Sequence, residues 1–286
     1  MTGREQSAVR EVAGPWSLAT SRIFWEGFAP AALRDQAGDA ALRTVFLTEH
    51  DWTAATATVR QDGATAHLTV AGTGDLEAAA TQVARFLSLD VDGRGWPAVG
   101  GRDPVIGAAQ RALPGLRPCG FHSPYEAAAW AVLSQRVGIP QAARLRTGLI
   151  TRHGDHGAFP APARLRALEL DLPGRKAEYL HAVAEAALDG LLDGGALRSL
   201  DPDAAIARVR QVKGLGPFAA ELVVLRGANH PDGLPRHEAR LDAEIAERYG
   251  AGATRDQVAS AWRPYRTWAA VHLRVLREQR IRGAVF

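Results

Sequence analysis

Apolar and polar positions change rhythm once along the chain. Over 42–47, 53–60 and 65–70, small and β-branched residues alternate with polar ones, the period of two that half-buried strands require. Gln61-Asp62-Gly63 between the last two runs predicts a hairpin turn, so the three runs form an antiparallel meander. Asp75-Leu76-Glu77 then opens a helical pattern with apolar Ala80, Val83, Ala84, Phe86 and Leu87, and its carboxylates suit the positive end of a helix. After Leu113 the period is helical throughout, over 123–137, 140–152, 174–190, 202–211, 217–228, 237–249 and 254–280, with Gly- and Pro-containing breaks between. Residues 1–14 are polar and without period and read as a flexible N-terminus. The Gly/Asp/Pro-rich run 90–104 reads as a linker. The expected organisation is an α+β domain over 15–104, an antiparallel sheet with helices and a linker at its end, followed by an all-α region over 105–286.

Composition narrows the class. The 286 residues with 47% hydrophobic content fill a sizeable core and exclude a disordered or fibrous chain. A single cysteine, Cys119, excludes an internal disulfide and leaves too few thiolates for an iron-sulfur cluster or a zinc knuckle; it reads as a small packed residue. The start has no apolar h-region and no stretch approaches about 18 apolar residues, so a soluble cytoplasmic protein without membrane contact is expected. Charge is uneven. Residues 1–110 hold 9 Lys+Arg against 13 Asp+Glu, and residues 111–286 hold 25 against 18. Only Lys176 and Lys213 are lysines, so the basic half carries guanidinium, which suits bidentate phosphate contact.

The most informative segment is Val209-Arg210-Gln211-Val212-Lys213-Gly214-Leu215-Gly216-Pro217-Phe218-Ala219-Ala220. A short helix ends at the Gly-x-Gly turn and a second starts at Pro217, a favoured first helical residue, leaving backbone N–H groups outward as a phosphate cradle. The same turn points backbone carbonyls toward one another, at Arg210, Val212 and Leu215, where a monovalent cation can sit. Taken alone, such a turn is more often an ordinary helix-helix turn. Glu238 opens a helix and can serve simply by complementing its dipole, and Phe218 at a helix start can pack inward. Trp130 and Trp268 lie on amphipathic helices and read as core. His153 and His156 have a metal-like spacing but no third ligand, so they read as a solvent-facing pair.

Taken together, the run from Val212 to Leu241, Pro114-Gly115-Leu116-Arg117, His122-Ser123-Pro124-Tyr125-Glu126, 131–137 and Trp262-Arg263-Pro264-Tyr265-Arg266-Thr267-Trp268-Ala269 with His272 resemble the helix-hairpin-helix base-excision glycosylase superfamily, in its DNA-3-methyladenine glycosylase II type. The resemblance implies an all-helical glycosylase region of two lobes with the active-site cleft between them. It implies a monomer that acts on damaged, alkylated bases in double-stranded DNA, in the cytoplasm and on the nucleoid. No cofactor is required; the hairpin carbonyls imply a Na or K ion.

Residue by residue, the family's Pro-x-x-Asp loop corresponds to Pro235-Arg236-His237-Glu238, so the resemblance makes Glu238 the catalytic carboxylate, a departure from aspartate. Phe218 takes the place of the Schiff-base lysine of bifunctional members, which implies no lyase step. Arg274 falls where an aromatic often lines the base pocket, with Trp268 and Tyr125 completing that pocket. Gly214, Gly216, Lys213, Gln135 and Arg136 are the implied DNA contacts, the last two on the loop that enters the duplex. A DNA-lesion-binding protein with weak or lost chemistry is the alternative, because glutamate and Arg274 both depart from the family's pocket.

Overall fold

A computed structural model describes residues 3–26 and 40–282. Residues 1–2 of the expected flexible N-terminus, 27–39 of the expected α+β domain and 283–286 of the helical region lie outside the described residues. The sheet has four antiparallel strands, β1 (Arg4–Glu11), β2 (Leu42–Leu47), β3 (Ala54–Asp62) and β4 (Thr65–Gly72), in the order β1-β4-β3-β2. Asp62 pairs with Thr65, so the hairpin turns on Gly63-Ala64, one residue later than the sequence pattern suggested. The buried face presents Leu42, Phe46, Ala57, Val59, Leu68 and Val70. It packs against Trp25 of α1 (Leu18–Glu26) and Val83 and Phe86 of α2 (Leu76–Phe86). Asp75 caps α2 by accepting from the amides of Glu77 and Ala78, as its place before the apolar run predicts.

Two expectations are corrected here. The expected flexible N-terminus is an edge strand, in register with β4 from Arg4 opposite Gly72 to Glu11 opposite Thr65. Its side chains are exposed or half-exposed, Val9 among them, so no apolar alternation marked it; the backbone ladder holds it instead. The expected linker contains α3 (Trp96–Arg102), followed directly by α4 (Pro104–Ala112). Asp103 caps α4 and also accepts from Trp262 Nε1 at 2.8 Å and Tyr249 Oη at 2.7 Å, partners distant in sequence.

The rest is helical and, among the described residues, has two large apolar clusters and a small third of Leu113, Leu116, Val271 and Val275. One surrounds α5 (Pro124–Leu133), every residue of which is buried, and draws on α6 (Ile139–His153), α7 (Pro162–Ala167), α8 (Lys176–Leu188), α9 (Gly194–Ser199), α10 (Pro202–Val209) and α11 (Pro217–Leu222), which runs on as a wider π turn over Val223–Gly227. The second joins Trp96 and Ile106 to Leu241 and Ile245 of α12 (Ala239–Tyr249), Ala259 of α13 (Arg255–Ala259), Trp262, and Trp268 and Leu273 of α14 (Arg266–Arg282). Buried polar side chains stitch sheet and helices together. Arg117 donates to the carbonyls of Ala13, Pro15, Ser88 and Val91, and burial pulls its pKa down to about 10. Asn229 Nδ2 reaches the carbonyls of Arg85 and Pro118 and the hydroxyl of Ser88. Cys119 is fully buried, and burial pushes its thiol up to about 12, in keeping with a packed residue.

Candidate active site

The hairpin depends on local backbone geometry. Gly214 has φ +91°, and a Cβ there would lie 2.4 Å from the ring of Tyr179 on α8, so only glycine closes the turn. Gly216 has φ −77° and open space around it. Gln135 Nε2 donates to Gly214 O at 2.8 Å and so ties the loop after α5 to the hairpin. Lys176, buried, donates from Nζ to Val132 O and Gln135 O at 2.9 and 2.7 Å, and burial lowers its pKa. Arg136 sits beyond it, exposed and at φ +56°. Lys213 is exposed but pairs with Glu178 at 2.6 Å, which also holds Arg175. Val212 O accepts the Leu215 amide at 3.1 Å, which closes the turn. Among the described residues no group of three or more His, Cys, Asp or Glu is placed to hold a metal.

Beside the hairpin is a cleft of about 410 Å³. Its walls come from all three apolar clusters: Trp130, Ser134 and Ile139 on one side, Phe218, Glu221, Leu222, Leu225 and Arg226 from α11 and its π turn, and Ala270, Val271, Arg274 and Glu278 from α14. Glu238 and Pro235 close it from the loop before α12. Phe218 is 48% exposed, on the wall and not in the core. Trp130, expected as core, is buried in the first cluster and also lines this space.

That loop is fixed from two directions. Glu221, buried on α11, accepts the amides of Arg236 and His237 at 3.0 and 2.9 Å and His237 Nδ1 at 2.7 Å. Thr267 and Asp232 hold the other end: the Gly233 amide donates to Thr267 Oγ1 at 3.1 Å, and Arg266 donates from N and Nε to Asp232 Oδ1. Glu238 precedes α12 but makes no capping bond to it. Its carboxylate instead meets Arg274 Nη1 at 2.5 Å, while Arg274 Nη2 donates to Glu278 at 2.8 Å. The next acids along are engaged elsewhere, Asp242 with Arg255 and buried Glu244 with Arg248, Arg277 and Arg280.

Two expected pocket residues are not there. Tyr125 is fully buried between Trp52 and Phe159, its hydroxyl donating to Pro160 O at 2.9 Å. Trp268 is fully buried against Trp96 and Tyr265 with Arg117 over its ring. Both side chains point from their helices into a core, so neither reaches the cleft. The sequence pattern missed Glu221, whose only signal was its place three residues after Phe218, on the same face of a helix.

No family model matches the chain. A Mycobacterium tuberculosis protein described as a probable bifunctional transcriptional activator/DNA repair enzyme AlkA is 29% identical over 216 residues, which cover 70% of this chain and 42% of that protein. The Escherichia coli DNA-3-methyladenine glycosylase 2 is 30% identical over 186 residues, 59% of this chain and 63% of that protein. The chain thus spans less than two thirds of the length of either relative. The 3-methyladenine DNA-glycosylase of Archaeoglobus fulgidus superposes over 97% of this chain and 100% of its own with a TM-score of 0.72 at 18% identity. The Clostridium acetobutylicum 8-oxoguanine glycosylase/lyase, in complex with dsDNA, does so over 99% of both chains with a TM-score of 0.64 at 15% identity. At such identities the structural likeness is one of fold. The chain is thus similar in sequence to DNA-3-methyladenine glycosylases and in fold to DNA glycosylases over nearly its whole length.

Proposed function

We propose that this protein is a monofunctional DNA N-glycosylase that excises alkylated bases from double-stranded DNA in base-excision repair. The observation that carries the reading is the placement of Glu238: a loop pinned by Glu221, Thr267 and Asp232 delivers a carboxylate into the cleft that also holds Phe218 and Trp130. A flipped base occupies the apolar part of the cleft, where aromatic faces can stack on it. Water adds to the sugar carbon, the bond to the base nitrogen breaks with its electron pair staying on the base, and the water's proton ends on the departing base where that base was neutral and in solvent where it was cationic. Glu238 stabilises the positive charge that develops on the sugar and orients the water. Gly214, Gly216 and the amides that follow them grip the backbone, the 134–138 loop with Gln135 and Arg136 enters the duplex, and a Na or K ion on the hairpin carbonyls supports that grip. Nucleoid association and a monomeric state belong to the same proposal.

The test is base release from alkylated duplex DNA. Glu238→Gln should lower it roughly a hundredfold or more, the scale of losing one preorganised electrostatic stabiliser, while duplex binding survives. The product strand should be an intact abasic strand that breaks only with alkali or heat, and borohydride should trap no covalent adduct, because position 218 offers no amine. Release undiminished in Glu238→Gln overturns the assignment. The Arg274 contact on Glu238 favours a second reading, a lesion-binding protein with little turnover. Wild-type protein that binds duplex DNA, more weakly as salt rises, yet releases no base would establish it.

A further inference from the structure

The cleft's charge decides which damaged bases it takes. Three carboxylates line it, and each is already engaged: Glu221 by the 236–237 amides and His237, Glu238 and Glu278 by Arg274. A cationic N-methylated purine entering this space loses its hydration and meets no free negative charge in return. Such a base also needs little help, since it departs as a neutral molecule. A neutral base departs with an extra electron pair and so as an anion unless a donor meets it.

Arg274 is placed to be that donor. Its guanidinium touches Glu238, the carboxylate assigned to the reaction, and both line the cleft. Each terminal nitrogen makes one contact with a carboxylate, so each keeps a second hydrogen for an acceptor on the base. We propose that Arg274 sets the substrate class of this site as neutral alkylated bases with an oxygen or ring-nitrogen acceptor near the glycosidic nitrogen, in preference to cationic N-methylated purines. The proposal rests on the glycosylase reading above. In the reaction the guanidinium holds the electron pair left on the base nitrogen until the proton of the attacking water arrives there.

Single-turnover release from duplexes that differ only in the lesion, ethenoadenine as the neutral base and N7-methylguanine as the cationic one, tests this in the full chain. Acceleration over spontaneous release should be greater for ethenoadenine in the wild type. Arg274→Gln should shift the ratio of the two rates toward the cationic base by roughly tenfold or more, the scale of one hydrogen bond to a charged donor. Arg274→Lys, which keeps the charge, should retain most of the wild-type ratio. A ratio unchanged in Arg274→Gln, or a wild type that accelerates the cationic release more, overturns the proposal while leaving the glycosylase reading intact. Release of neither base by a wild type that binds the duplexes overturns both; the wild-type comparison stands even if a variant fails to fold.

Discussion

Single side chains do two kinds of work in this protein, and only one kind is visible in sequence. Glu238 stood out only through the resemblance of its loop to the family's Pro-x-x-Asp, whereas its partner Arg274 is 36 positions away and became a partner only through the fold. Glu221 left only its helix-face spacing from Phe218 as a signal, because it acts on backbone amides, which every residue possesses. His272 shows a third case. It was read as part of the closing helix, and the structure buries it fully beside Trp96, Nδ1–H donating to Trp268 O at 2.8 Å. Burial drops its pKa from 6.5 to about 4, with the carbonyl bond opposing in part. Between those values the unfolded chain takes up a proton that the folded one refuses. The stabilisation is therefore present above pH 6.5 and is lost as pH falls toward 4, by up to about 3 kcal/mol. Urea unfolding across that range should show the loss in wild type and a shallower slope in His272→Gln; equal slopes would show that His272 is not held neutral.

At the level of elements, local signals were read correctly and pairings at a distance were not. The β2–β4 meander and the Asp75 cap rest on neighbours in sequence, so alternation and capping chemistry located them. β1 finds its partner across the whole hairpin, and α3 is fixed by Trp96 packing on α14, so neither left a local pattern. The hairpin was legible as a motif, but its two glycines serve different ends. Gly214→Ala forces a side chain against Tyr179 at positive φ and should cost about 1–3 kcal/mol while weakening duplex affinity. Gly216→Ala has open space and an ordinary φ, so thermal stability should be unchanged, and any loss of affinity there reports the close approach of a phosphate. Thermal melts beside salt-titrated DNA binding separate the two, and equal destabilisation by both would refute the distinction.

Across the described residues, the cleft lies where separate apolar clusters meet without merging, lined by Trp130 and Leu225, by Ala270, and by Val271 and Val275. Composition predicted enough apolar residues for a core but could not divide them, since Trp130 and Trp268 look alike in sequence and end in different clusters, the first also lining the cleft. Arg117 is the principal stitch. Its replacement by leucine strips donors from the carbonyls of Ala13, Pro15, Ser88 and Val91 and should cost about 3 kcal/mol or more in urea unfolding. A loss under about 1 kcal/mol would mean that water replaces the guanidinium without penalty.

The same arginine bears on how the chain is made. Ala13 and Arg117 stand 104 positions apart, and β1 needs β4 before it has any partner. Residues 3–15 thus leave the ribosome well before Arg117 and are clamped only after it has followed. Nascent chains stalled before Arg117 clears the exit tunnel should leave residues 3–15 open to proteases, and chains stalled beyond it should shield them.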